Sequence, residues 1–362
     1  MTRKVSDVAK HAGVSVATVS RVLNNIQHPV SEKTRKRVLK AAAELNYQPN
    51  IHAKSLATGR NFTLELFLDL SFDSTGETGV GTFLQQVLYG IEEESAVRGY
   101  RIVLDINRNV NSSKKEYFTG IFPIAGAVVL APRANNPIIP ELVRRHIPLM
   151  IIGSSEYRDQ NYVDMDNITG ALKATEHLIN AGHKDIMCLG GPTNFGPSLD
   201  RMTGFRRAMR DHGLNYGSNR CVTMGAWNWD NGFRMMWDIL RNRQPRPTAI
   251  FASNDMLAIG AIRAIKSAGL TVPGDIAVVG FDDLPSAQLI SPALTTIRQP
   301  FYDLAREAAR VLIERIDASH DADARPETAP YQDTFVPDLI VRDSCGVSLN
   351  ANINASPDLE AV

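Results

Sequence analysis

The stretch from Val5 to Asn24 constrains the fold most, because its pattern predicts two short helices around one glycine. Apolar residues recur at i, i+3, i+4 and i+7 in its first half, the spacing of one helical face. Gly13 ends this helix, and Ser15 is a suitable N-cap for a second one. Val19, Val22 and Leu23 share one face of the second helix; the opposite face carries Ala17, Ser20, Arg21 and Asn24. Two such helices are typical of the helix-turn-helix motif, whose second helix enters the major groove of DNA.

A small helical hairpin with no role in DNA binding has the same pattern, so the distribution of charge is informative. Residues 1–60 contain 11 Lys and Arg against 3 Asp and Glu, whereas the rest of the chain contains 28 against 36. The formal net charge of the whole chain is zero. A basic head on an acidic body indicates a polyanionic partner that only the head binds.

A third helix is predicted after a loop at Asn24–Pro29, with Ser31 as its N-cap. Its apolar residues are expected to cover the first two helices; they are Val38, Leu39, Ala42 and Leu45. The exposed face carries cations that contact solvent or phosphate and give affinity without sequence preference. These are Lys33, Arg35, Lys36, Arg37 and Lys40.

A short hinge helix is predicted between Pro49, which stops the third helix, and Gly59. About two turns of helix do not persist alone in water, so its order can be coupled to binding at both ends. Leu56 is apolar and has no local core to join. It either packs loosely against the body or inserts as a wedge between base steps in the minor groove.

The head as a whole resembles that of the lactose-repressor/galactose-repressor family of transcription regulators. The resemblance is carried by VSDVAKHAGVSVATVSRVLNN, VSEKTRKRVLKAAAELNYQPN and AKSLATGR. It implies DNA contacts from the following residues: Ser15, Val16, Ala17, Thr18, Ser20, Arg21, Asn24, Thr34, Tyr47, Asn50, Ala53, Lys54 and Leu56. By the same resemblance, Tyr47 and Asn50 contact phosphate, and Leu56 is the minor-groove wedge of a paired hinge helix.

The resemblance also places Val16, Ala17 and Arg21 at base-reading positions. Val16 and Ala17 carry no hydrogen-bonding side-chain groups. They can therefore read only thymine methyl groups and the shape of the groove, which leaves Arg21 as the main polar reader.

The body, from residue 61 to 342, alternates strand and helix patterns. Strands are predicted at Leu64–Leu70, Arg101–Ile106, Ala125–Ala131, Pro148–Ile152, Asp185–Leu189, Ala249–Ala252 and Ile276–Gly280. Helices are predicted at Thr82–Arg98, Ile168–Ala181, Asp200–His212, Asn231–Arg241, Asp255–Ala268 and Phe301–Ala318. This alternation predicts an α/β fold of two doubly wound, parallel-sheet lobes, because so long a segment exceeds one comfortable sheet core.

Polar and aromatic residues follow several predicted strands, at the edge where doubly wound sheets bind ligands. They include Asp69, Asn254, Asp282 and Trp227, while Arg201 opens a helix after another strand. Carboxylates, amides and guanidinium groups bind pairs of hydroxyls, and an indole stacks on the apolar face of a sugar. Asp255 and Asp283 are equally well explained as helix caps.

The body resembles the family's effector domain, which is built like a periplasmic sugar-binding protein. GHKDIMCLGGP, DRMTGF, AIFASNDMLAIGAIRAI, AVVGFDDLP and LTTIRQP carry the resemblance. The predicted effector-binding residues are Asp69, Phe83, Asp166, Arg201, Trp227, Asn254 and Asp282. Two departures bear on the identity of the ligand: Gly153 stands where several sugar-binding members carry Asp, and the loop at 73–81 lacks the family's Asn-Pro-aromatic element.

The predicted domains are a DNA-binding domain at 1–49, a hinge at 50–60, an effector-binding and dimerisation domain at 61–342, and a flexible tail at 343–362. The lobes are expected at 61–164 plus 298–325, and at 165–297 plus 326–342. The tail lacks a leucine heptad, so we expect a homodimer whose paired heads match paired half-sites in DNA.

The sequence predicts a cytoplasmic protein. No apolar segment follows Thr2-Arg3-Lys4, so a signal peptide is not expected, and no apolar run approaches the length that spans a bilayer. Cys188, Cys221 and Cys345 lack CxxC spacing, which fits a reducing compartment and predicts neither a disulfide framework nor a zinc site.

The leading prediction is a sequence-specific transcription regulator, a repressor of carbohydrate-utilisation genes whose affinity for double-stranded operator DNA is controlled by a small sugar effector. No cofactor and no membrane partner are expected. The alternatives are a sugar-binding protein without regulatory DNA binding, as in transport, and an enzyme acting on a sugar. No catalytic constellation supports the enzyme.

Overall fold

Two compact units make up the chain, Met1–Phe62 and Thr63–Val362, in a computed structural model. The structure describes residues 4–23, 30–47, 55, 59–69, 80–107, 124–153, 157–321 and 329–346. Several predictions therefore lie outside the described residues: those on Asn24, Asn50, Ala53, Lys54 and Leu56, the departure at residues 73–79, and the tail after 346.

The first unit contains α1 (Val5–Ala12), α2 (Val16–Leu23) and α3 (Glu32–Glu44). Gly13 has a φ of 59° and closes α1, a conformation that favours glycine. Ser15 precedes α2 and accepts a hydrogen bond from the Thr18 amide at 3.1 Å, as predicted for an N-cap.

Leu39 does not cover the first two helices, so this part of the prediction for α3 is wrong. Its exposed fraction is 47%, whereas Val38, Ala41 and Ala42 are buried and Leu45 packs against the same core. Positions 38, 41, 42 and 45 follow the regular spacing of one helical face, and position 39 is turned away by about 100°.

The second unit contains two sheets of six strands each. The first sheet has the order β11-β5-β4-β3-β1-β2, and its recorded strand pairs are all parallel. Its strands are β1 (Thr63–Asp69), β2 (Arg101–Asn107), β3 (Gly126–Leu130), β4 (Leu149–Ile152), β5 (Tyr162–Met165) and β11 (Gln332–Phe335). The helices of this lobe are α4 (Val80–Val97), α5 (Ile138–Arg144) and α11 (Phe301–Ser319).

The second sheet has the order β12-β10-β9-β8-β6-β7, with β12 antiparallel to β10 and the other pairs parallel. Its strands are β6 (Ile186–Gly190), β7 (Cys221–Thr223), β8 (Ala249–Ala252), β9 (Ala277–Asp282), β10 (Thr295–Arg298) and β12 (Asp338–Ile340). Its helices are α6 (Asn167–Asn180), α7 (Gly196–Asp211), α8 (Trp229–Asn242), α9 (Asp255–Ser267) and α10 (Pro285–Leu289).

The strands β6, β8 and β9 of the second sheet are buried on both faces, which explains their continuous apolar runs. In β6, Met187 and Leu189 join one core cluster, whereas Ile186 and Cys188 join the cluster on the opposite face. Trp237 packs against the first of these clusters, beside the buried Met235 and Met236.

Two predicted boundaries differ from the structure. Strand β11 pairs with β5 in the first sheet, although residues 326–342 were assigned to the second lobe. Residues 343–345 form a 3₁₀ turn with Ser344 and Cys345 buried in the second lobe, so they do not belong to a flexible tail. Both segments are short and lack a sustained apolar run, so local periodicity gives no sign of where they pack.

Within the described residues the chain passes between the two sheets after β5, after β10 and between β11 and β12. Several short connections of this kind allow one lobe to move against the other as a hinge. No described helix is both long and apolar enough to cross a membrane.

Candidate ligand cleft and nucleic-acid interface

A cleft between the two lobes, with a volume of about 850 Å³ including its mouth, receives side chains from the carboxyl ends of several strands. Its polar lining residues are Asp164, Asn167, Arg201, Asn254, Asp282 and Gln299. Aromatic residues from both lobes complete the wall: Phe83, Trp227 and Phe301.

Arg201 is held rigidly in this cleft. Its Nε donates to the Asn167 side-chain oxygen at 2.9 Å, and its Nη1 donates to the Ser253 carbonyl oxygen at 2.6 Å. The guanidinium carbon lies 3.9 Å from the centroid of the Phe281 ring, within cation–π range. Burial lowers the pKa of Arg201, but a guanidinium is basic enough to stay charged in a protein. The cleft therefore presents one fixed cation.

Asp282 ends β9 and faces Arg201 across 3.4 Å, from Oδ1 to Nη1. It also accepts a hydrogen bond from Gln299 Nε2 at 2.5 Å. Burial raises the pKa of Asp282 to about 6, and the opposing effects of Arg201 and Gln299 do not cancel this shift. Its φ of 124° is rare for a residue with a side chain, a strain of the kind found at ligand sites.

Asn254 and Asp255 have different positions although they are neighbours. Asn254 caps α9, accepting from the Leu257 amide at 2.9 Å, and lines the cleft. Asp255 is fully buried, and it accepts from Thr296 Oγ1 at 2.5 Å and from the Leu284 amide at 2.8 Å. Burial raises the pKa of Asp255 well above its ordinary value. Asp255 therefore joins β10 and the loop after β9 and does not line the cleft.

Asp283 turns away from the cleft. Its carboxylate pairs with Arg298 at 2.7 Å and with Arg342 at 2.5 Å. The φ of Asp283 is 56°, in the left-handed region that few residues with a side chain adopt. A structural role therefore accounts for Asp283.

Trp227 and Phe83 contribute the aromatic surfaces that the sequence suggested. The Trp227 ring packs on Phe195 with centroids 5.1 Å apart, and its indole lies so close to Gly191 that a Cβ there would collide with it. From the other lobe, Phe83 lies 5.1 Å from Phe301, centroid to centroid.

Asp166 is not among the residues that line the cleft. It caps α6 by accepting from the Thr169 amide at 2.9 Å, whereas Asp164 and Asn167 on either side of it line the cleft. Asp69 ends β1, and its side chain falls outside the described part of the structure.

Sequence reasoning missed Asp164, Asn167, Gln299 and Phe301. Asp164 and Asn167 lie within two residues of the predicted Asp166, in the segment VDMDN. Gln299 and Phe301 lie at the passage from β10 to α11, and the resemblance carried by LTTIRQP implies no role for its glutamine. None of the described residues forms a group of three or more His, Cys, Asp or Glu that could hold a metal ion.

The outer face of α2 has the character of a groove-reading helix. Val16, Ala17 and Arg21 are exposed, with 45% exposure for Val16, while Thr18 and Ser20 are half-buried. Val19 and Val22 are buried in the core of the head. Thr34 lies at the start of α3 with its amide bound to Ser31, and Tyr47 packs at the edge of the same core. Small residues and one guanidinium on an exposed helix suit the major groove.

A three-helix head with such a surface and a two-lobed body with a polar cleft define the class of ligand-responsive regulators. The family model "Bacterial regulatory proteins, lacI family" matches residues 4–50, and that of a "Periplasmic binding protein-like domain" matches residues 175–345. The probable HTH-type transcriptional repressor ExuR of Bacillus subtilis (strain 168) is 32% identical over 343 residues, 94% of this chain and 97% of that protein.

Two solved structures are similar over almost the whole chain. The transcriptional regulator CelR in complex with cellobiose has a TM-score of 0.70 and 30% identity, covering 94% of this chain and 99% of that one. The Lac repressor dimer bound to operator and the anti-inducer ONPF has a TM-score of 0.75 and 27% identity, covering 95% and 99%. The chain belongs to the LacI family, and it is a DNA-binding transcription regulator rather than an enzyme.

Proposed function

We propose that this protein is a cytoplasmic homodimeric repressor whose operator affinity is set by an uncharged sugar bound in the cleft between its lobes. The observation that carries this proposal is the cleft itself, where Phe83, Arg201, Trp227, Asn254 and Asp282 meet. CelR with cellobiose supports a sugar as the ligand class, and the Lac repressor dimer on its operator supports paired heads on DNA.

The charges of the cleft favour an uncharged ligand. Asp164 and Asp282 are acidic, and Arg201 is the one cation among the described lining residues. Since Arg201 already donates to Asn167 and Ser253 and faces Asp282, part of its positive charge is compensated before a ligand phosphate or carboxylate binds. A ligand hydroxyl can instead donate to Asp282 and accept from Arg201, which satisfies both without burying a new charge.

The DNA-binding residues are proposed to divide into two groups. Val16, Ala17 and Arg21 read bases from the exposed face of α2, while Tyr47 and the cations of α3 contact phosphate. Leu56 and the residues around it are proposed to enter the minor groove as a hinge helix that orders on DNA. Closure of the lobes on a ligand changes operator affinity only if the ligand binds the two states unequally.

Calorimetric titration of the purified protein tests the ligand class. We expect an uncharged mono- or disaccharide to bind, and its phosphorylated and uronic-acid counterparts to bind at least about tenfold more weakly, since an added buried anion near Asp164 and Asp282 costs about 1.4 kcal/mol or more. Tighter binding of the charged counterpart contradicts the proposed ligand class. Protein that binds sugar and no DNA at low salt supports the alternative of a sugar-binding protein without regulatory DNA binding.

A further inference from the structure

Cys188 and Cys221 lie opposite each other on neighbouring strands, although 32 residues separate them in the sequence. Cys188 is in β6, Cys221 begins the edge strand β7, and the parallel register pairs them directly. Both pack into the same core cluster, so their side chains share one face of the sheet. Neighbouring strands are about 4.8 Å apart, within the Cα separations of about 4.4–6.8 Å that a disulfide spans.

The two thiols have unequal surroundings. Cys188 is fully buried, whereas Cys221 is half-buried at the edge of the sheet. A hydrogen bond with the Cys188 thiol, assisted by the Arg206 guanidinium, lowers the pKa of Cys221. The same hydrogen bond, together with burial, raises the pKa of Cys188. A half-buried thiol with a lowered pKa beside a fully buried thiol is the arrangement of a reacting and a resolving cysteine.

Cys345 is the third free cysteine and has other partners. Its sulfur lies 3.2 Å from His177 Nε2 and accepts a hydrogen bond from Thr295 Oγ1 at 3.2 Å. It is buried in the 3₁₀ turn at Asp343–Cys345. Cys345 therefore provides an internal control for the reactivity of a buried thiol in this protein.

We propose that Cys188 and Cys221 are a reversible oxidation site, which a hydroperoxide converts to an intramolecular disulfide. The Cys221 sulfur attacks one peroxide oxygen, the O–O bond breaks, and the other oxygen leaves as water or an alcohol with the thiol proton. The Cys188 sulfur then attacks the resulting sulfenic acid, the S–O bond breaks, and a water leaves with the second thiol proton. The peroxide is reduced by two electrons, the two thiols are oxidised, and an external dithiol reverses the bond.

The position of this pair connects it with the ligand cleft. Gly191 directly follows β6, Trp227 lies in the segment after β7, and the Trp227 indole rests against Gly191. A disulfide between β6 and β7 would hold together the two strands that lead to Gly191 and to Trp227. It would therefore restrict the movement of this part of the cleft wall. Oxidation is therefore expected to slow backbone exchange in Cys221–Thr223.

The test treats the purified full-length protein with hydrogen peroxide and maps its peptides by mass spectrometry before and after dithiothreitol. We expect the loss of two hydrogen atoms, a linked peptide pair containing Cys188 and Cys221, an unmodified Cys345, and full reversal by the dithiol. Cys188→Ala should stop at a dimedone-reactive sulfenic acid on Cys221, and Cys345→Ala should still form the bond. Three free thiols after treatment, a different pairing, or a bond between two protein molecules would overturn the proposal.

Amide hydrogen exchange tests the connection with the cleft separately. In the oxidised protein, exchange in Cys221–Thr223 should slow by about tenfold, because the edge strand then opens less often. Oxidised Cys345→Ala should show the same slowing, and peroxide-treated Cys188→Ala should not. A disulfide that forms without any change in this exchange would overturn the expected effect on the cleft wall and leave the oxidation site standing.

Discussion

Arg201 and Asp282 face each other in the cleft with 3.4 Å between Nη1 and Oδ1, farther apart than a short charge-assisted hydrogen bond. Arg201 is anchored by Asn167 and Ser253, and Asp282 by Gln299. Because each side chain is held by other partners, the two charged groups do not have to move into direct contact with each other. A ligand hydroxyl that bridges the two charges therefore meets a preformed site.

Replacing Arg201 by alanine should abolish the effector response while operator binding survives. The change removes the fixed cation and leaves Asp282 less compensated, so we expect sugar affinity to fall by about 100-fold, or about 3 kcal/mol. Calorimetry with the sugar and anisotropy with the operator measure the two effects. Arg207→Ala is the matched control, because Arg207 lies on the same helix with 57% of its side chain exposed. A normal effector response in Arg201→Ala would mean that the cleft assignment is wrong.

Sugar affinity should depend on pH through Asp282. Burial raises its pKa from 3.8 to about 6 in the free protein, and hydroxyl donors from a sugar favour the ionised form, so the pKa falls on binding. Affinity should be full above pH 6 and fall by up to about tenfold per pH unit below it, with protons released on binding. Titrations between pH 5 and 7.5 measure this.

Asp282→Asn is the control for this pH dependence, and it should bind more weakly with a flat profile. An unchanged pH dependence in Asp282→Asn would assign the titration to another group.

The raised pKa of Asp282 also affects the stability of the protein. Sugar affinity increases as pH rises, whereas this contribution to stability decreases. Its contribution to the free energy of unfolding is present below the unfolded pKa of 3.8 and is lost as pH rises through 6.

Replacing Gly191 by alanine should weaken sugar binding without unfolding the protein. A Cβ at Gly191 collides with the Trp227 indole, a rigid group that must move out of the cleft wall. We expect a loss of about 1–3 kcal/mol in sugar affinity, since the stacking surface is displaced. Gly225→Ala is the control, because a Cβ there meets nothing within 4 Å. Equal sugar affinity in the two variants would exclude Trp227 as a stacking surface.

Arg21→Ala should reduce discrimination between operator and random DNA, by about 1–3 kcal/mol, because it removes the main polar reader of the exposed face of α2. Lys36→Ala, at an exposed position on α3, should instead weaken both kinds of DNA equally and lower the salt dependence of binding. Binding curves with both DNAs at several salt concentrations separate these effects. Unchanged discrimination in Arg21→Ala would contradict base reading by this residue.

Sustained patterns predicted most of the fold, and the strands that were missed are all three or four residues long: β5, β7, β10, β11 and β12. Both faces of β8 and β9 are buried, so their apolar runs were recognisable. Strands β7, β11 and β12 are three or four residues long and partly exposed, and long-range pairing rather than local sequence decides their place.

The site was predicted where a residue follows a clear strand, as Asp282 does. It was missed at the junction of β5 and α6, where the sequence does not show which residue ends the strand and which residue caps the helix. In the structure Asp164 lies in β5 and lines the cleft, whereas Asp166 is the N-cap of α6. The pairing of Cys188 with Cys221 likewise depends on strand order, which residue spacing does not reveal.

The most direct test of the account is a fluorescence-anisotropy titration of the protein on a palindromic operator, repeated with the uncharged sugar that calorimetry identifies. The account predicts that a saturating sugar changes operator affinity by about tenfold or more, a coupling free energy of about 1.4 kcal/mol. Operator affinity that stays the same with the cleft saturated would contradict control of DNA binding by this ligand.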